Sequence, residues 1–261
     1  MNISEDHISN IEHNNYDEYL EAKLKLFEQT ETAIVNLNTD DLEKVLEAAK
    51  KSKKIITFGN TEKADIYGYN IRKEGLNTVF NVRTKSFDEE ILLTMPGLFN
   101  VENALAAIAI ATEIGIPYDN IYNGLKKARA TGRMEIYSNK NQEIVVIVDY
   151  AHNKLSFQKL YESTIKEYPK REIITVFGCP GNKAQNRRKD LGELSGKYSN
   201  MNYLTTDDPK YEDPEEICKE ISAYIEKEKG KYKIILDREE AIKEAIFEAK
   251  PNSVILINGK G

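Results

Sequence analysis

Ile144-Val145-Val146-Ile147-Val148-Asp149-Tyr150-Ala151-His152-Asn153 reads as a buried strand that ends in an acid and an imidazole and then opens a helix. It puts two ionisable groups at a strand's C-terminal edge, where open α/β sheets hold their ligands. Three more apolar runs downstream end in the same manner: in Gly178-Cys179-Pro180-Gly181-Asn182-Lys183, in Thr206-Asp207-Asp208-Pro209, and in Gly259-Lys260-Gly261. Strands at 143–148, 172–177, 201–205, 232–236 and 253–258 alternate with helices at 154–167, 187–198, 214–228 and 238–248. The alternation predicts an α/β fold with a parallel sheet and helices on both faces. Any one polar, glycine-rich loop is what such a fold carries anyway. Four on one edge, with Asp-His and Asn-Lys content, predict a shared site in which glycines let backbone N–H groups approach an anion.

The first half is organised differently. A helix over 16–28, a strand at 33–35, a helix over 40–51 and a strand at 55–58 precede a stretch, 65–93, of short alternating runs that suggest hairpins. An Ala-rich helix over 103–114 is closed by Gly115 and Pro117, and another runs to about residue 128. Thr131-Gly132-Arg133 looks like a hinge, which places a domain boundary near residue 132.

The 261 residues suffice for one large domain or two ordinary ones. A net charge of -6 argues against a general nucleic-acid surface, though a local basic pocket stays open. No apolar run is long enough to span a membrane, and the first residues do not form a signal peptide. Two cysteines, Cys179 and Cys218, without C-x-x-C spacing suggest reduced thiols and a cytoplasmic protein. Neither a G-x-x-x-x-G-K-[ST] phosphate loop nor a G-x-G-x-x-G turn occurs, which weighs against a nicotinamide oxidoreductase.

Smaller anomalies remain. Lys23 falls on the apolar stripe of Tyr16, Leu20, Leu24 and Phe27, where a lysine is costly unless paired or modified; a snorkelling stem is the plainer account. Asn100 and Asn103 share one helix face, so each amide could meet a heterocycle edge, or one could be a helix cap. His7 beside Asp6 could be a metal ligand.

In order along the chain, these pieces resemble the Mur ligase family, the ATP-dependent amino-acid-adding enzymes of peptidoglycan precursor synthesis. Asn2-Ile3-Ser4-Glu5-Asp6-His7 is similar to its Asn-x-x-x-Asp-His segment, and Ala22-Lys23-Leu24 to its Ala-Lys-Leu/Arg helix. Asn100-Val101-Glu102-Asn103-Ala104 is similar to its adenine-side motif, and Gly132-Arg133-Met134-Glu135 to the segment that opens its C-terminal domain. Asp149-Tyr150-Ala151-His152 is close to the Asp-Tyr-Ala-His of the family's tripeptide synthetases.

The resemblance implies that residues 1–132 form the rear part of a central ATP-binding domain, without its phosphate loop. Residues 133–261 would form a slightly truncated, Rossmann-like C-terminal domain with a mostly parallel sheet. It implies ATP and Mg2+ as cofactors, with His7 and a carbamylated Lys23 as metal ligands and catalytic groups. Asn100 and Asn103 would face adenine, while Arg133, Asp149 and His152 would hold the nucleotide. Gly178, Lys183, Asp207, Asp208, Lys210 and Lys260 would bind substrate.

The implied reaction activates the carboxylate of a UDP-N-acetylmuramoyl-dipeptide as an acyl phosphate, which a free amino acid then attacks. Diaminopimelate-adding members typically carry Asp-Asn-Pro-Arg, whose Arg can grip a distal carboxylate. Asp207-Asp208-Pro209-Lys210 replaces Asn by Asp and loses the guanidinium fork, which favours L-lysine, with diaminopimelate as the alternative. A monomer with no membrane or nucleic-acid partner is expected, inactive on its own as these 261 residues. The rival reading is a non-catalytic binding module derived from the family.

Overall fold

The structure is a computed structural model that describes residues 3, 5, 7–9, 12–141 and 143–260; Asn2, Asp6 and Gly261 of the sequence motifs lie outside the described residues. The chain divides into two compact units: residues 1–4 and 20–130 form the first, residues 5–19 and 131–261 the second.

α1 (Tyr16–Leu24), whose last five residues open the main stretch of the first unit, passes at once into a 3₁₀ turn (Lys25–Gln29). β1 (Thr32–Asn36), α2 (Leu42–Ala49) and β2 (Lys54–Gly59) follow. Then come β3 (Ile66–Glu74), β4 (Asn77–Arg83) and β5 (Asp88–Leu93), and two helices, α3 (Asn100–Glu113) and α4 (Tyr118–Lys126). The sheet order is β1-β2-β3-β4-β5, parallel through β3 and antiparallel from there, so the hairpin expectation for 65–93 holds. α3 buries Val101, Ala104, Leu105, Ile108 and Ala109, an i, i+3, i+4 stripe, against Phe58, Ile66, Phe80, Val82 and Ile91. A Cβ on Gly68 would stand 2.8 Å from Leu105, so the absence of a side chain there lets this helix lie close to β3.

The second unit contains β6 (Glu135–Ser138), β7 (Ile144–Asp149), α5 (Lys154–Glu167), β8 (Glu172–Phe177) and α6 (Asn186–Tyr198). It continues with β9 (Met201–Leu204), α7 (Pro214–Lys227), β10 (Tyr232–Ile234), α8 (Arg238–Glu248) and β11 (Ser253–Asn258). The order is β10-β9-β8-β11-β7-β6, parallel except at β6. The mostly parallel sheet is as expected; β6 itself was not anticipated, because four residues on an edge, two partly covered and two exposed, carry too little apolar pattern to be read.

Helices cover both faces of this sheet. Ala241 and Ala245 of α8 pack on Ile174, Val176, Ile255 and Ile257. On the opposite face Phe157 of α5 meets Phe177 edge to face at 5.3 Å, and the Tyr161 hydroxyl bonds Thr175. Every residue of β11 is buried, as a central parallel strand requires. Because β11 sits between β7 and β8, the C-terminal ends of β7, β11, β8 and β9 stand side by side. No helix among the described residues is long and apolar enough to cross a membrane.

α6 and α7 meet across Gly192, where a Cβ would lie 2.8 Å from the Ile221 carbonyl oxygen and from the Tyr224 Cβ. Gly192→Ala is expected to destabilise the chain by about 1–3 kcal/mol, the usual cost of overpacking, as measured by urea unfolding.

Candidate binding edge of the second unit

β7 ends in Asp149, and both its carboxylate oxygens accept backbone amides. Oδ1 takes Ala151 N–H at 2.8 Å and Oδ2 takes Met134 N–H at 2.9 Å. Burial pushes this carboxyl upward from the ordinary Asp range; the two amides, then Arg133 and His152, draw it back. The clasp is closed by Tyr150 N–H donating to the Gly132 carbonyl at 2.8 Å and Gly132 N–H donating to Glu135 at 3.0 Å. Met134 is held at a φ of 49° with its side chain buried, a left-handed conformation that costs about 1–2 kcal/mol and needs such support. The loop presents Arg133, exposed, with its guanidinium 4.3 Å over the Tyr150 ring.

His152 follows. Its Nδ1 lies 2.7 Å from the Tyr150 carbonyl, which can only accept, so Nδ1 carries the proton and Nε2 is the basic atom of the neutral ring. Asn153 caps α5 with a reciprocal pair of bonds to Ser156, which fixes where the strand stops and the helix begins.

The loops after β8 and β9 touch through backbone. A Cβ on Gly178 would fall 2.2 Å from the Thr205 carbonyl oxygen, and Gly181 N–H donates to the Asp208 carbonyl at 2.8 Å. After β11, Gly259 turns at a φ of 94° and donates to the Asp149 carbonyl at 3.2 Å. Lys260 Nζ donates to the Asp207 carbonyl at 2.9 Å and stands 3.8 Å from its carboxylate. Burial pushes the Asp207 carboxyl upward, while Lys260 and Arg238 oppose that shift. Asp149, His152, Gly178, Lys183, Asp207, Asp208, Lys210 and Lys260 are thus all borne by four neighbouring strand ends of one sheet edge.

Sequence reasoning missed Arg238 and Asn258. Arg238 Nη2 donates to the Asn258 carbonyl at 2.7 Å, while its buried Nη1 and both polar atoms of the fully buried Asn258 amide find no hydrogen-bond partner. Orphaned polar groups of this kind cost about 1–3 kcal/mol each, and a ligand, ion or water that met them would recover that cost. The available signal was an arginine in a helix's first turn, where acids are normally favoured.

In the first unit, Asn100 is buried: its Nδ2 donates to the Pro96 carbonyl and its Oδ1 accepts from Asn103 Nδ2 at 2.9 Å. The two amides are thus bonded to each other, and the buried one also to the turn that precedes the helix. Asn103 is the exposed member, and Asn100 orients it.

Lys23 is exposed, not buried on the stripe. The 3₁₀ turn, with three residues per turn, sets the buried Phe27 over Leu24 and swings the apolar stripe away from Lys23. His7, at a φ of 57°, is bonded through Nδ1 to Glu12 at 2.7 Å, and Glu12 also accepts Ser9 Oγ and Ala184 N–H. His7 and Lys23 belong to different units, and no cluster of three or more His, Cys, Asp or Glu side chains able to hold a metal occurs among the described residues. Cys179 and Cys218 are free and buried, and burial pushes both thiols upward, Cys218 to about 11.

Comparison with known proteins gives two domain-family matches: "Mur ligase middle domain" over residues 1–111, and "Mur ligase, glutamate ligase domain" over residues 132–261. A UDP-N-acetylmuramoyl-L-alanyl-D-glutamate–2,6-diaminopimelate ligase of Alkaliphilus metalliredigens is 38% identical over 95% of this chain and 51% of its own length. A UDP-N-acetylmuramyl-tripeptide synthetase of Lactobacillus delbrueckii subsp. bulgaricus is 37% identical over 100% of this chain and 54% of its own. The chain spans about half the length of the curated relatives it matches.

Among solved structures, a UDP-N-acetylmuramoyl-L-alanyl-D-glutamate–2,6-diaminopimelate ligase aligns over 97% of this chain and 53% of its own, at 26% identity and a TM-score of 0.55. Mycobacterium tuberculosis folylpolyglutamate synthase, at 16% identity, shares the fold with a TM-score of 0.79 over 99% of this chain and 60% of its own.

Two outcomes follow from the geometry. Asp149→Asn would turn an NH2 group toward one of the two amides, so a loss of about 1–3 kcal/mol is expected in urea unfolding. The second concerns pH. Burial raises the Glu12 carboxyl, but its bonds to His7, Ala184 and Ser9 outweigh this and hold it below its ordinary 4.5. Its contribution is complete above that value and is lost as pH falls through the lowered one. Thermal unfolding between about pH 3 and 6 is expected to fall more steeply for the native chain than for Glu12→Gln.

Proposed function

The chain belongs to the Mur ligase family, and from that premise we propose that it forms part of an ATP-dependent ligase that adds a diamino acid to a UDP-N-acetylmuramoyl-dipeptide. The observation that carries this reading is the meeting of four polar strand ends on one sheet edge, with orphaned buried polar atoms of Arg238 and Asn258 beside them. ATP would supply the phosphoryl group that activates the substrate carboxylate, and the amine then displaces phosphate to form the amide.

Each residue has a bounded part in this reading. Arg133 offers a cation to the nucleotide, and Asp149 acts by holding the backbone that presents it. Asn103 offers its exposed amide to adenine, oriented by Asn100. His152 lines the same edge with its tautomer set by a carbonyl. His7 and Lys23 are the family's metal-side positions by resemblance.

Lysine is the first reading for the added amino acid. Asp208, exposed at the edge, suits an ammonium, and Lys210 lacks the planar fork that grips a carboxylate. Diaminopimelate is the second. Lys183 is half-buried with no carboxylate at ion-pair distance among the described residues, and several relatives carry diaminopimelate in their names.

In the ligase that carries this chain, L-lysine is expected to drive ATP consumption with a kcat/KM at least about tenfold above that of diaminopimelate, a difference of about 1.4 kcal/mol. Asp208→Asn should shrink that preference. The reverse ratio would assign diaminopimelate, and no amino-acid-dependent turnover with either would leave the non-catalytic module.

A further inference from the structure

The loops after β8 and β9 are joined by a side-chain latch as well as by their neighbouring strands. Beside the Gly181 to Asp208 bond, a Cβ at Gly181 would stand 1.9 Å from the Pro209 carbonyl oxygen. Asn182, at a φ of 57°, accepts Tyr211 N–H on its side-chain oxygen at 3.2 Å, and Lys210 sits at a φ of 51°. Two non-glycine residues in the left-handed region persist only where their surroundings hold them.

Glu212 supplies that hold. One of its carboxylate oxygens accepts the Asn182 amide, and the other accepts Arg188 Nη2 at 2.7 Å. The Arg188 side chain is 4% exposed and also donates Nη1 to Glu220 at 2.8 Å, so one buried guanidinium is flanked by two carboxylates. Burial alone would raise the Glu212 carboxyl; the Asn182 amide and Arg188 outweigh it and keep the group charged.

Lys183 follows Asn182 directly, while Asp208 and Lys210 flank Pro209. The charges that would tell one amino-acid side chain from another are therefore carried by the two loops that the latch joins. We propose that Glu212, anchored by the buried Arg188, is a positioning residue that fixes these loops in one register and thereby sets which amino-acid side chain the edge accepts. The inference rests on the reading of this edge as the amino-acid site. Glu212 acts through the loops and need not touch the substrate. An error of about 1 Å in the placement of binding groups is enough to lose much of their effect.

The test is titration of the chain with L-lysine and with diaminopimelate, followed by ligand-observed NMR. Glu212→Ala is expected to weaken lysine binding at least about tenfold and to erase most of the preference between the two, beside the fall in melting temperature that stripping Arg188 of one carboxylate brings. Glu212→Gln keeps an oxygen for the Asn182 amide and should retain affinity within about threefold. A merely structural role would lower the melting temperature without altering the preference.

Unchanged affinity and preference in Glu212→Ala, with the native chain binding, overturns the inference and leaves the function standing. Failure of the native chain to bind either amino acid overturns the functional reading and the inference with it. If Glu212→Ala does not fold, hydrogen exchange in the native chain decides. The Gly181 and Asn182 amides are expected to be protected at least about a hundredfold, and exchange at open-loop rates overturns the latch.

Discussion

A single buried carboxylate, Asp149, takes one amide from the chain before its strand and one from the chain after it. A carboxylate can satisfy both because each oxygen accepts; an amide side chain cannot. Strand β7 is thereby finished in a defined place, the 132–135 loop is drawn onto its end, and Gly259 of β11 joins through the Asp149 carbonyl. The desolvation that raises its carboxyl is the cost of this arrangement, met by charge-assisted bonds of about 1.5–3 kcal/mol each.

Around that point the topology does the gathering. β11 comes last in sequence yet lies between β7 and β8, so loops far apart in the chain become neighbours. The result is a row of short polar connections, stitched mainly by backbone, on an apolar slab whose helices cover both faces. Lys260 and Arg238 bring positive charge to Asp207 from two further elements.

Much of the second unit was legible because buried parallel strands are long apolar runs, and the polar residues that end them stand out. β6 was not, since four residues on an edge leave no periodic trace. The exposure of Lys23 was not legible, because the stripe was projected with an α-helical period through a segment that tightens to 3₁₀. Asn100 and Asn103 were seen as a pair, but spacing alone cannot tell that one carboxamide is consumed by Pro96 and by its own neighbour. Arg188 and Glu212 escaped for a related reason. Charged residues 24 positions apart look like solvated surface until the fold buries one of them against the other.

The glycine contacts between the loops also bear on how such a site can diversify. Gly178 and Gly181 face carbonyl oxygens at distances that admit no side chain, so drift at those positions is closed to selection. The exposed side chains of Asp208 and Lys210 carry no comparable restriction. Inheritance at this edge is therefore split into a frozen main-chain frame and an exchangeable set of charges. A lineage could change the second while leaving the first intact.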